Sequence, residues 1–239
     1  MTQQKEPLIQ EGVSKKRMYV TPVKDWCNAN CTFCYMHERK RNKTRPQFIE
    51  VESLDTLVDS FQDKISEVEI TGGGDPSLHP HISEVVEIFT KRNIYTKMYT
   101  NGFFLPEIPS IDEINISRVH WDSQINNSFY RSRNQNDLEY ALQYYRPLAK
   151  KIRMQTILLK GAIDSAEKIR EFVAKYDSLV DVFMFRTLFP GCSLEKDKFV
   201  AYPEINNPKV KFDSTLDDYS RPLFFVNTDC VLQEKFDYG

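Results

Sequence analysis

Hydrophobic residues recur along the chain with two different periods. Short apolar or alternating runs, which are typical of β-strands, occupy residues 18–21, 68–71, 94–100, 113–117, 152–159 and 182–186. Amphipathic runs with the helical spacing i, i+3, i+4, i+7 occupy residues 50–61, 82–89, 136–145 and 169–176. The last of these follows Asp164 and Glu167, a pair that resembles a capping box. The pattern therefore predicts strands that alternate with helices.

Six strands that alternate with helices predict an α/β fold with a parallel sheet, because parallel neighbours are joined by right-handed βαβ crossovers. Sites in such sheets lie at the carboxyl ends of the strands. Unusual residues follow four of the predicted strands. Cysteines follow the first, glycines 72–74 follow the second, Thr100-Asn101-Gly102 follows the third, and residues 117–122 follow the fourth. We therefore expect these segments to meet at one edge of the sheet.

Composition limits the class of protein. The chain has 239 residues, of which 41% are hydrophobic and 28% charged, as in an ordinary globular protein. No apolar run reaches the ~18 residues that would indicate a membrane span. Residues 1–16 are polar and lack the apolar stretch of a secretion signal, so we expect a cytoplasmic protein that does not contact a membrane. The net charge of −2 excludes a global basic field that would indicate nucleic acid.

The periodicity also suggests how the chain is divided. We expect an N-terminal extension at residues 1–17, a core domain at 18–189, and a C-terminal extension at 190–239 that packs on the core. The rhythm of strands and helices is lost after Pro190, although residues 224–226 and 230–236 could form a terminal strand pair.

Three of the five cysteines, Cys27, Cys31 and Cys34, fall within eight residues. An odd, tightly clustered set in a chain without a secretion signal indicates metal or redox chemistry rather than a disulfide framework. A [4Fe–4S] cluster ordinarily takes four cysteines, so three would leave one iron open to another ligand. The alternative is a closed zinc site in which His37 supplies the fourth ligand.

Three motifs together resemble one family. The first is Cys-x₃-Cys-x₂-Cys with Phe33 before the third cysteine, the second is Gly72-Gly73-Gly74-Asp75-Pro76, and the third is Thr100-Asn101-Gly102. The chain resembles the radical S-adenosylmethionine (SAM) enzymes over roughly residues 18–186. The second motif departs from the family's Gly-Gly-Glu-Pro, since Asp replaces Glu and one glycine is added. The resemblance implies a partial (β/α)₆ TIM-like barrel with a short C-terminal extension.

The resemblance also implies the cofactors and their ligands. In the family, three cysteines hold a [4Fe–4S] cluster, and the amino and carboxylate groups of SAM chelate the fourth iron. The glycine run hydrogen-bonds the SAM amino group through backbone carbonyls, with the Asp75 side chain as a further candidate. The other candidate contacts to SAM are Phe33 beside the adenine, Asn101, Ser117, Arg118 and Gln155. The last three are equally consistent with ordinary polar surface.

Several residues are candidates for substrate selection. A basic run that includes Arg39 and Arg41 could receive a phosphate, a carboxylate or a nucleic-acid backbone, or could be a solvated loop. His120 and Asp122 follow the fourth strand, and Arg186 ends the sixth, where a guanidinium suits a carboxylate or phosphate. The two remaining cysteines, Cys192 and Cys230, could be inert or paired, and Cys192 is a candidate hydrogen-atom donor.

The resemblance implies an enzyme that cleaves SAM to a 5′-deoxyadenosyl radical, which abstracts hydrogen from a substrate. The basic run and the absence of cysteines for an auxiliary cluster favour a nucleotide, a nucleic-acid base or another small anionic metabolite, and leave nucleic acid open as a partner. An electron donor such as flavodoxin or ferredoxin is implied by the family. The alternatives are modification of a peptide, activation of a glycyl-radical enzyme and, in a different class, a non-catalytic zinc-binding module.

Overall fold

A twisted parallel sheet organises the chain. The computed structural model describes residues 16–34, 45–133, 136–187, 200–213 and 223–233. The strands are β1 (Lys16–Val20), β2 (Val23–Lys24), β3 (Gln47–Phe48), β4 (Ile65–Ile70), β5 (Tyr95–Thr100), β6 (Ile111–Ser117), β7 (Ala149–Ile157), β8 (Val182–Arg186), β9 (Val210–Asp213), β10 (Leu223–Val226) and β11 (Leu232–Gln233). The helices are α1 (Val51–Phe61), α2 (Ile82–Thr90), α3 (Ser123–Tyr130), α4 (Leu138–Tyr145) and α5 (Ala166–Tyr176).

The main sheet has the strand order β11-β10-β1-β4-β5-β6-β7-β8-β9 within the described residues. Neighbouring strands are parallel except for β10 and β11, which are antiparallel. β2 and β3 form a separate antiparallel pair. The six predicted strands correspond to β1 and β4 to β8, which lie side by side in chain order. This confirms the predicted α/β fold with a parallel sheet of the partial-barrel type.

The structure extends this prediction at both sides of the sheet. β10 pairs with β1, and β9 pairs with β8, so segments from the last 40 residues flank the six central strands. The strand pair expected near the C-terminus is present as β10 and β11. The expected boundary near residue 190 lies outside the described residues.

Helix α3 was not predicted, because its sequence has few apolar residues. It is held at its ends instead. The Asp122 carboxylate accepts hydrogen bonds from the backbone N–H groups of Gln124 and Ile125, and Arg131 ends the helix in a left-handed conformation. At α5 the predicted start was wrong by one residue, since Ser165 is the N-cap, while Asp164 accepts from Gly161 N–H and Lys168 Nζ.

The two faces of the sheet differ in chemistry because successive strand residues point to opposite sides. The face toward the helices is apolar, with fully buried residues such as Val68, Met98 and Ile114. The other face, the inner face of the partial barrel, carries charge along its amino-terminal half. There Glu69, Lys97, Glu113 and Lys151 are consecutive register partners on four strands.

Ion pairs connect this charged row across the strands. Lys97 Nζ lies 2.9 Å from Glu67 and 3.5 Å from Glu69. Glu113, whose side chain is 1% exposed, lies 3.1 Å from Lys151 and 2.9 Å from Arg153. Because buried charges are tolerated only when they are paired, these ion pairs allow charged residues on the inner face.

No described helix is long and apolar enough to cross a membrane.

Candidate active site

The loop that follows β1 carries the three clustered cysteines, all half-buried. Helix α3 fixes its backbone. Asn30 N–H donates to the Tyr130 carbonyl at 2.9 Å, and Thr32 N–H donates to the Phe129 carbonyl at 2.8 Å. The Ser132 hydroxyl donates to the Asn28 carbonyl at 2.9 Å. The loop is therefore anchored by backbone polar groups before any ligand is bound.

A small apolar cluster, here named the apolar bed, packs against the cysteine loop. Its buried members are Ala29, Phe103, Val119, Tyr130, Leu159 and Ala162. Cys27, Cys31 and Phe33 pack against it. The Phe33 ring meets the Tyr130 ring edge-on, with the centroids 5.2 Å apart. Phe33, the candidate adenine contact, therefore lies beside the cysteines on an apolar surface.

The glycine run after β4 lies against the start of the cysteine loop. Gly72 has a φ of +131°, and a Cβ there would lie 2.4 Å from the Thr21 hydroxyl oxygen. A Cβ on Gly74 would lie 1.8 Å from the Trp26 carbonyl oxygen. Both distances are far below van der Waals contact, so the two segments approach this closely only because the residues lack side chains. Gly73 lies between them, in the same bend.

Asp75 is placed differently from expectation. Its side chain is not turned toward a ligand: the residue is 4% exposed. The carboxylate accepts hydrogen bonds from Asn101 N–H at 2.7 Å, Ser77 N–H at 3.0 Å and the Thr100 hydroxyl at 3.0 Å. Burial raises the pKa of Asp75 above its usual value. The carboxylate is thus occupied by the protein's own donors, and the expectation that it contacts SAM is not supported.

Asn101 connects the turn after β5 to the cysteine loop. Its Nδ2 donates to Asn28 Oδ1 at 2.6 Å and lies 3.9 Å from Cys27 Sγ. The residue is 7% exposed. With Asp75 it joins the glycine run, the Thr100-Asn101-Gly102 turn and the cysteines into one hydrogen-bonded unit. Sequence reasoning missed Asn28 as a member of this unit, although it follows Cys27 directly.

The two candidates at the end of β6 differ in burial, since Ser117 is half-buried and Arg118 is buried. Ser117 Oγ lies 2.8 Å from the Tyr130 hydroxyl. Arg118 is 2% exposed, and its guanidinium lies 4.2 Å above the Phe103 ring. Burial lowers the pKa of Arg118 to about 10. Arg118 therefore supports the apolar bed through a cation–π contact, and its contact with SAM stays a prediction.

His120 and Asp122 also have structural partners. His120 is 4% exposed, its Nδ1 accepts from Asp122 N–H at 2.9 Å, and its ring stacks on Trp121 with centroids 4.0 Å apart. Burial lowers the pKa of His120. The Asp122 carboxylate caps α3. These contacts argue against the expectation that either side chain receives the substrate.

The carboxyl-terminal half of the inner face is polar. Gln155 and Arg186 are half-buried there, and Gln155 Nε2 donates to Asn115 Oδ1 at 3.2 Å. Burial and the Glu69 carboxylate raise the pKa of Tyr99, while the Arg186 guanidinium acts in the opposite direction. Tyr99 and Arg186 therefore influence one another across the curved sheet. Sequence reasoning missed Tyr99 and Asn115, although alternation places polar residues at these strand positions.

Four expectations fall on other parts of the chain. Arg39, Arg41, His37 and Cys192 lie outside the described residues. Cys230 is a free thiol whose Sγ lies 3.7 Å from the Glu50 carbonyl.

No three His, Cys, Asp or Glu side chains among the described residues converge closely enough to hold a metal ion without rearrangement. The donor set nevertheless fits an iron–sulfur cluster, because the three thiols are half-buried on one loop and thiolate is the ligand such clusters take.

The comparison with known proteins now decides the family. Residues 21–191, more than half of the chain, match the model of the Radical SAM superfamily. This chain belongs to the Radical SAM superfamily. Membership of the superfamily implies a [4Fe–4S] cluster and SAM as cofactors.

This member of the superfamily has distant relatives among curated proteins. A Helicobacter pylori protein described as "UPF0026 protein" is 25% identical over 170 residues, which is 65% of this chain and 55% of the relative. A Methanocaldococcus jannaschii protein described as a putative glycyl-radical enzyme activating enzyme is 24% identical over 161 residues, or 63% of this chain and 61% of the relative. The chain thus spans little more than half the length of these relatives.

Among solved structures, the fold is similar to that of Streptococcus suis SuiB bound to its precursor peptide SuiA. The TM-score is 0.70 at 13% identity, over 93% of this chain and 60% of that chain. This likeness supports the fold alone.

Proposed function

We propose that this radical SAM enzyme cleaves SAM reductively at a cluster held by Cys27, Cys31 and Cys34, and uses the resulting radical to abstract hydrogen from a small anionic substrate. The observation that carries the proposal is the union of three motifs at one edge of the sheet. The cysteine loop lies against the glycine run at Gly74 and Trp26 and is hydrogen-bonded to the turn at Asn101.

When bound, the cluster and SAM together supply the electron and the 5′-deoxyadenosyl radical. The protein's own part is to position these groups and to exclude water. Backbone carbonyls of the glycine run are the groups that would receive the SAM ammonium group, and the Asp75 carboxylate holds the neighbouring turn instead. The apolar bed beneath Cys27 and Cys31 provides a dry surface on which Phe33 can flank the adenine.

The inner face supports an anionic substrate. It meets the apolar bed at the hydrogen bond between Ser117 and Tyr130, and it presents Ser117, Gln155 and Arg186 along its carboxyl-terminal half. A guanidinium at a strand end suits bidentate binding of a carboxylate or phosphate. Of the five cysteines in the chain, three belong to the loop, which leaves too few for an auxiliary four-cysteine cluster. A nucleotide, a nucleic-acid base or a small anionic metabolite fits these features.

A second candidate is activation of a glycyl-radical enzyme or modification of a peptide. The similarity to the putative activating enzyme of Methanocaldococcus jannaschii favours it. Under this alternative, the hydrogen donor is a backbone or side-chain position of a partner chain rather than a free metabolite.

The direct test is anaerobic reconstitution followed by SAM cleavage. The wild-type protein should take up about four irons per chain and release 5′-deoxyadenosine with SAM and dithionite, which replaces the flavodoxin or ferredoxin donor. Cys31→Ala should lose both properties. A colourless wild-type protein that binds one zinc would overturn the proposal. Deuterated candidates then separate the substrate classes, because deuterium from the true substrate appears in 5′-deoxyadenosine.

A further inference from the structure

The Asn101 carboxamide occupies a fixed orientation beside the first cysteine. Its Oδ1 accepts a hydrogen bond from Phe103 N–H at 2.9 Å. A backbone N–H can only donate, so this side of the amide must be the oxygen, and Nδ2 must face the cysteine loop. One of its two hydrogens is directed to Asn28 Oδ1 at 2.6 Å, and Cys27 Sγ lies 3.9 Å from the same nitrogen.

The backbone of Asn101 is held as firmly as its side chain. Its N–H donates to the buried Asp75 carboxylate at 2.7 Å, and the neighbouring Thr100 hydroxyl donates to the same group at 3.0 Å. Gly102 follows in a left-handed conformation, with a φ of +66°. Rotation of the carboxamide away from Cys27 would therefore break bonds to Phe103 and Asn28 in a region where Asn101 is 7% exposed. Unmade hydrogen bonds in such a place are costly.

We propose that Asn101 is a positioning residue for the cluster. By donating an N–H to the Cys27 sulfur, it orients that thiolate and raises the reduction potential of the cluster. The inference rests on the proposed function, since it requires Cys27 to be a cluster ligand. It differs from a contact between Asn101 and SAM, because both polar ends of the amide are already engaged with the protein.

The physical consequence is a higher reduction potential. One-electron reduction adds negative charge to the cluster and its thiolates, and a hydrogen-bond donor at a ligand sulfur stabilises that charge. Loss of the donor should make reduction harder. We expect the equilibrium constant for one-electron reduction to fall about tenfold, which corresponds to ~59 mV.

Asn101→Ser is the sharper variant, because its side chain is too short to donate to Cys27 and it adds no charge. Asn101→Asp preserves shape and the acceptor for Phe103 N–H and replaces the NH₂ group by an oxygen, but its negative charge would itself lower the potential, so its shift should exceed that of Asn101→Ser. Asn207→Ala is the matched control. Asn207 also accepts a backbone N–H, that of Lys209 at 2.9 Å, but it lies in the loop before β9.

The experiment is anaerobic redox potentiometry of the reconstituted full chain, monitored by electron paramagnetic resonance, with thermal unfolding of the cluster-free proteins as a check on folding. We expect a lower potential and an altered reduced-state spectrum in the Asn101 variants, and wild-type values in Asn207→Ala. If a folded, cluster-bearing Asn101 variant keeps the wild-type potential and spectrum, the inference is overturned and the proposed function stands. If wild-type protein assembles no cluster, both fail together.

Discussion

Gly74→Ala should damage the cysteine loop through one new methyl group. The backbone of Gly74 does not have a positive φ, so alanine introduces no conformational strain of its own. The added Cβ would instead lie 1.8 Å from the Trp26 carbonyl oxygen, 2.8 Å from its carbonyl carbon and 3.1 Å from Val23 Cγ1. Carbon atoms in contact normally stay about 3.5 Å apart or more. Either the glycine run after β4 or the backbone just before Cys27 must therefore move by more than about 1 Å.

The expected cost follows from overpacking, which typically destabilises by about 1–3 kcal/mol. For a domain of this size, each kcal/mol lowers the melting temperature by roughly 2–4 °C, so Gly74→Ala should melt about 2–12 °C below wild type. The displaced carbonyl belongs to the residue before Cys27. Iron uptake should therefore fall further than the loss of stability alone would explain.

Gly161→Ala separates the two effects. Gly161 has a φ of +84°, and a Cβ there would meet only Phe129 Cζ, at an ordinary 3.9 Å. Left-handed strain should cost about 1–2 kcal/mol and lower the melting temperature similarly, but without pressing on the cysteine loop. The measurements are thermal unfolding of the cluster-free proteins and iron content after reconstitution. Wild-type iron content in Gly74→Ala, or equal iron loss in both variants, would refute the steric argument.

Three further results are expected. Asp75→Asn should lower the free energy of unfolding in urea by about 1–3 kcal/mol, because one oxygen cannot serve both backbone N–H donors, and an unchanged midpoint would contradict this. Burial lowers the pKa of His120 in the folded state below its ordinary value of 6.5, which applies in the unfolded chain. The wild type should therefore lose stability as pH falls from 6.5 toward the pKa of the folded state. His120→Asn, which keeps an acceptor, should lose less between pH 7 and 5 in denaturant unfolding. Cys31→Ala should bind no cluster in iron analysis, whereas Cys230→Ala should bind it normally.

The central strands could be predicted from sequence because burial against helices imposes a strict pattern. β4 and β6 alternate apolar and polar residues over Val68–Ile70 and Ile114–Ser117, and β8 alternates buried and half-buried positions within an apolar run. Helix α3 could not be predicted in this way. Its stability depends on the Asp122 cap and on hydrogen bonds from the cysteine loop to its carboxyl-terminal carbonyls, and neither produces a hydrophobic period.

The location of the site was predictable, but the direction of its polar side chains was not. Order along the chain and the rule for parallel sheets were enough to bring the cysteines, glycines and Asn101 to one edge. Whether Asp75, Arg118 or His120 points to a ligand or into the protein depends on tertiary partners. Asp75 and His120 accept hydrogen bonds from backbone N–H groups, and Arg118 lies over an aromatic ring. Such partners cannot be identified from the sequence.

The replacement of the family's glutamate by Asp75 has a physical explanation in these contacts. The shorter side chain brings its carboxylate within 2.7 Å of Asn101 N–H while the residue stays 4% exposed. A glutamate here would place one more methylene in a closed space, at an overpacking cost of about 1–3 kcal/mol, or would have to turn outward and release Asn101. In the first case stability falls, and in the second the turn that holds Asn28 and Cys27 loses its anchor. The aspartate therefore links the glycine run to the turn that holds Asn28 and Cys27, and its shorter side chain keeps that link buried.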